Sequence, residues 1–201
     1  MRIAALLLVL LASLLGGCRI TAFEHAPVTA QACDRQLAGH WLSVGDAPGQ
    51  DGEVALRIDD DCRMQVDEHE HGGVRGGDAT QVELGRQDGH SYAWVDAGWA
   101  QQRFDPESRD LQPRSGDVYL VRYQLAGDRL TLHAPDSVVI AHAIIDGDIP
   151  GEVRYGDSRL HNRIIGAAQP ELLQRESFFD AQAIVFRRAQ TEPAQQAPKL
   201  P

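Results

Sequence analysis

The densest set of metal-ligating side chains in the sequence is Asp-Glu-His-Glu-His at residues 67–71. On an extended segment, alternation puts His69 and His71 on one face with Asp67 beside them. Imidazole together with carboxylate suits zinc, nickel or copper. A stable site needs three or four converging ligands. The run Gly-Gly-Val-Arg-Gly-Gly (72–77) that follows favours a solvated loop, leaving Asp67, His69 and His71 as weak metal candidates. The acidic stretches Asp-Ala-Pro-Gly-Gln-Asp-Gly-Glu (46–53) and Asp59–Asp61 lack the ligand spacing of a calcium loop and read as turns.

No catalytic set emerges. His40, His90, His133, His142 and His161 are scattered, with no G-x-S-x-G elbow, H-E-x-x-H pair, phosphate loop or G-x-G-x-x-G around them. No catalytic residue and no cofactor is therefore expected. Cys33 and Cys62 have neither redox-pair nor zinc-knuckle spacing. In an oxidising compartment an even pair reads as a disulfide. The alternating segments 37–44, 53–58 and 62–66 form a meander whose turn at 59–61 returns to the base of the first strand. That path brings Cys62 back towards Cys33.

The first residues carry a different kind of signal. Arg2 precedes an apolar run from Ala4 to Leu15, too short for a membrane span and of the length of a secretory signal core. Leu15-Gly16-Gly17-Cys18 resembles the lipobox of bacterial lipoproteins. The resemblance implies cleavage before Cys18, and diacylglycerol and further acyl chains on that cysteine. It implies an outer-membrane anchor facing the periplasm, because Arg19 replaces the aspartate of an inner-membrane retention signal. On this reading residues 1–17 are the signal peptide and 18–32 a flexible tether. Residues 33–188 form a single β domain and 189–201, rich in Pro, Gln and Ala, a disordered tail.

The formal charge is -10, with no Lys/Arg cluster, which argues against nucleic-acid partners. The 43% hydrophobic and 24% charged composition is that of a folded chain. Period-two patterning dominates. Strands are expected at 37–44, 53–58, 62–66, 79–85, 90–96, 98–104, 118–125, 130–133, 151–155, 162–167 and 181–188. Short helices are expected at 135–147 and 170–177.

Gly39-His40-Trp41 opens the first of these strands and resembles the G-x-W signature of lipocalin-like (calycin) barrels. That resemblance implies a tryptophan closing one end of the barrel, with Arg187 or Arg188 packed across its ring. The expected fold is mostly β with minor α. It is an antiparallel sheet closing into a lipocalin-like barrel or barrel-like sheet, with one or two short helices.

Inward aromatics of such a barrel (Tyr92, Trp94, Trp99, Tyr119 and Tyr123) would wall a pocket. The expected function is an envelope lipoprotein that binds a small apolar or amphipathic ligand without catalysis. The competing expectation is a protein-interaction module, an inhibitor or assembly accessory, with a filled core. An enclosed apolar cavity of roughly 300 Å³ or more favours the first. A filled core with an exposed apolar patch favours the second.

Overall fold

The computed structural model describes residues 19–44, 53–70, 73–104, 112–156, 159–166 and 170–189. The strands are β1 (Arg19–Phe23), β2 (Gly39–Ser43), β3 (Glu53–Ile58), β4 (Arg63–Glu70), β5 (Gly73–Arg75), β6 (Thr80–Gln81) and β7 (Glu83–Gln87). They continue as β8 (His90–Asp96), β9 (Val118–Ala126), β10 (Arg129–His133), β11 (Gly151–Gly156), β12 (Arg159–Ile164) and β13 (Ile184–Arg188). Three helices, α1 (Ala97–Phe104), α2 (Ser137–Ile145) and α3 (Pro170–Leu173), are interspersed. No helix among the described residues is long and apolar enough to cross a membrane.

All strands join one 13-stranded sheet in the order β11-β12-β1-β9-β10-β13-β2-β3-β4-β5, with β6 on β4 and β7 on β8. The expectation of an antiparallel lipocalin-like barrel is thereby corrected. The strand path runs from one end at β11 to another at β5, and it is mixed, because β1 lies parallel to β12. It also branches at β9, which carries β8 along one edge and both β1 and β10 along the other. Residues 80–87 touch β4 through only two residue pairs before changing partner to β8. At the change, the Val82 N–H donates to the Cys62 carbonyl at 2.9 Å. There is no continuous barrel ladder.

The branch explains why two cores form. Alternation along β8 and β9 sends Tyr92, Trp94 and Leu120 to one face, where they pack with Phe23, Ile140, Ile164, Leu173, Phe178 and Phe179. The other face carries Ala93, Val95 and Tyr123 into a second cluster with Leu37, Trp41, Leu56, Val66, Leu130 and Phe186. The central strands are thus buried on both faces.

Three further expectations change. Residues 19–23, expected in the tether, form β1, with Thr21, Ala22 and Phe23 buried between β12 and β9. Residues 98–104, expected as a strand, are helical in α1. The Asp96 carboxylate accepts the Trp99 N–H at 2.7 Å, an N-terminal cap, and the run contains no β-branched residue to resist helix formation. Residues 67–70, expected in a solvated polar loop, complete β4 against β3. His71, the signal segment with Cys18, and the tail from residue 190 lie outside the described residues.

The helix at α2 forms despite five β-branched residues. Asp136 caps it by accepting the N–H groups of Val138 and Val139, and Gly147 ends it at φ +83°. Asp136→Ala is expected to cost about 1 kcal/mol and to lower Tm by about 2–4 °C, measured by thermal melting.

Candidate functional site

The apolar cleft lies on the inner face of the second cluster. Strands β3 and β4 contribute Val54, Leu56, Ile58, Met64 and Val66. Across from them stand Ala93 and Val95 of β8, and Tyr119, Val121 and Tyr123 of β9. Helix α1 closes one side with Trp99, Ala100 and Gln101, and the whole space measures about 360 Å³. It is not an enclosed chamber. Phe104 and Ile184 line it while remaining 55% and 45% exposed, so an apolar rim meets solvent.

The polar groups in the wall are already engaged. The Trp99 indole N–H donates to the Asp78 carbonyl at 3.0 Å, and the Tyr119 hydroxyl reaches Gln101 Oε1 at 3.5 Å. Burial pushes the Tyr119 hydroxyl pKa up to about 12, with the Asp117 charge adding to the effect. Tyr123 is raised as well, first by burial and then by Asp34. Both phenols are neutral at ordinary pH. Among the described residues, no further polar group converges on the space to orient a small molecule, as pockets for such ligands require.

Trp41 belongs to the second cluster without lining the cleft; it is fully buried and donates its indole N–H to the Leu37 carbonyl at 2.8 Å. The Arg188 guanidinium stacks 4.1 Å from the ring centroid and donates to the carbonyls of Gln36 and Ala38. Gly39 at φ +142° leaves room for it, since a Cβ there would collide with Arg188 Nη1. Arg187 points outward and is exposed. Of the five aromatics expected in a pocket wall, Trp94, Trp99, Tyr119 and Tyr123 line the cleft. Tyr92 does not: it faces the first core, 6.0 Å from Phe179.

Cys33 and Cys62 are disulfide-bonded, with Cα atoms 5.6 Å apart. Asp59 shapes the intervening turn by accepting the N–H groups of Asp61 and Arg63. Asp67 is buried and pairs with Arg57 at 2.8 Å instead of waiting for a metal. No group of three or more His, Cys, Asp or Glu among the described residues is arranged to hold a metal ion.

A second polar centre was not legible in the sequence. Arg163 donates from Nε and Nη2 to Asp117, at 2.9–3.0 Å, and from Nη2 to Glu24 at 2.9 Å. Asp117 also accepts the Arg114 N–H at 2.9 Å. The Gly166 N–H, ahead of Arg163, holds the Glu24 carboxyl below its usual range. Burial and the neighbouring Arg154 charge depress the pKa of His161. The residues are far apart in sequence and share no motif. The buried hydroxyls of Thr21 and Ser137 lie 3.0 Å apart beside Asn162, with no base in contact. They join α2 to β1 and β12.

Compared with known families, curated proteins and solved structures, the chain matches none. The resemblances to bacterial lipoproteins and to lipocalins are therefore corrected together. No family model supports the lipobox reading of residues 15–18, and the mixed, branched sheet is not a calycin barrel. The small-ligand carrier reading falls with them, because the core is filled by two packed clusters and the cleft is open to solvent.

Proposed function

We propose that this chain is an exported protein-interaction module that receives an apolar segment of a basic protein partner in the cleft beside α1. The carrying observation is the exposed pair Phe104 and Ile184 on the rim of an otherwise apolar cleft. Apolar surface left in water at a concave site gains free energy when a partner covers it. The formal charge of -10 favours encounter with a positively charged surface. The disulfide and the short apolar leader support export to an oxidising compartment.

Crosslinking in the host, followed by purification and native mass spectrometry, tests this reading. The expected result is a bound basic protein whose recovery falls about tenfold or more in Ile184→Asp, since one buried aliphatic side chain contributes roughly 1.5–3 kcal/mol. The variant's Tm should stay within a few degrees of wild type. A small molecule retained in place of a protein, or a partner held equally well by Ile184→Asp, overturns the proposal.

A further inference from the structure

The end of the sheet at β11 is a free edge whose sequence is complementary to itself. We infer that two copies of this chain pair through antiparallel β11 strands about a twofold axis at Val153, extending the sheet across both molecules. The inference is independent of the cleft, which lies on other strands.

The phase of the ladder decides which groups face outward. Residues pair as Gly151–Ile164, Val153–Asn162 and Tyr155–Leu160 between β11 and β12, and the same register sets Pro150 opposite Ile165. The Ile165 N–H donates to the Pro150 carbonyl at 2.9 Å, so that pair is hydrogen-bonded. Antiparallel ladders alternate bonded and non-bonded pairs. The backbone groups of Glu152 and Arg154 therefore point towards β12. Those of Gly151, Val153 and Tyr155 point out from the edge, where no other strand among the described residues pairs with β11.

A twofold axis at Val153 uses these outward groups without remainder. Val153 meets its own copy as a bonded pair, and Gly151 meets Tyr155 of the second copy on either side. Glu152 then lies opposite Arg154 of the other molecule in the non-bonded pairs, where side chains approach most closely. Glu152 already holds Arg154 of its own chain at 3.0 Å and Arg114 at 2.6 Å, so the two copies would build a ring of alternating charge. A parallel or shifted pairing would set like charges together. Charged side chains usually blunt an edge; here their signs admit one arrangement.

The other face points the same way. A Cβ at Gly151 would lie 2.8 Å from the Ile144 side chain, so α2 covers this face closely and only a glycine fits. The strand opposite would place its Tyr155 ring beside that glycine, an aromatic covering a bare edge position. Tyr155 is 76% exposed in the single chain, and Ile145, at the end of α2, is 70% exposed. Pairing supplies Tyr155 with the apolar neighbours of the glycine position, Ile144 among them.

Sedimentation of the intact protein over a concentration series tests the inference. A reversible monomer–dimer equilibrium is expected by about 100 μM. Val153→Pro removes an outward N–H but no bond to β12, a position where an edge strand tolerates proline, and should leave a folded monomer. Glu152→Arg should weaken dimerisation about tenfold by facing Arg154 of the second copy. Ile184→Asp should leave dimerisation unchanged, which separates this test from that of the cleft. A wild-type protein that stays monomeric overturns the inference. So does a dimer that persists in Val153→Pro, or one that Ile184→Asp abolishes.

Discussion

Asp117→Ala is expected to be among the most damaging single substitutions in this chain, costing about 3–5 kcal/mol. Asp117 is 1% exposed and Arg163 is 6% exposed. Removing the carboxylate strands a buried guanidinium on the face of β12 opposite Ile164, beside Glu152 and His161. Glu24 still pairs with Nη2, but it is the more solvent-accessible partner and does not reach Nε. The Arg114 N–H loses its acceptor as well. Urea unfolding should show a lower midpoint, and thermal melting a fall of roughly 10 °C. The double variant Asp117→Leu/Arg163→Met, which removes both charges, should recover most of the loss. An Asp117→Ala protein within about 1 kcal/mol of wild type would show that water or rearrangement satisfies Arg163.

The second large effect is expected on opening the Cys33–Cys62 bond. The crosslink spans 29 residues, and the chain-entropy account assigns such a loop about 3–4 kcal/mol. The loop holds β2, β3 and Trp41, so the unfolded chain regains freedom in the segment whose strand β3 forms part of one wall of the cleft. Cys62 is itself 1% exposed and packs in the second cluster. Replacing both cysteines by alanine should lower the denaturant midpoint by the corresponding amount. Adding reductant to wild type should do the same, and reductant should not affect the double variant. A variant as stable as wild type would mean that β2 and β3 are held by packing alone.

Local patterns were readable where local chemistry decides the structure. The β9–β10 hairpin follows from clean alternation ending at Gly127, and the Cys33–Cys62 bond follows from the return path of a meander. Asp136 and Gly147 mark both ends of α2. The failures share a different cause. Strand β1 owes its place to partners far along the chain, and a strand buried on both faces loses the alternation that identifies it. Helix α1 was read as a strand because its capping Asp96 also ends the preceding strand. In the cleft, Tyr119 and Tyr123 were legible from alternation. Tyr92 failed because facing depends on register: Trp94 pairs with Leu120, which puts the even-numbered residues of β8 on the face of the other core, and of these Trp94 alone also borders the cleft. Phe104 and Ile184 come from separate elements that only the tertiary fold brings to one rim. The Asp117–Arg163 centre spans 46 positions without a motif.

The position of β1 has a consequence for how the molecule is made. Residues 19–23 bond to residues 160–164 in register. Their seat does not exist until most of the chain has been made. The earliest part of the folded body to emerge is thus among the last to find its place. The closure of so long a loop slows folding more than it lowers stability. Until then the first-core side chains that pack with Phe23 are left without that neighbour.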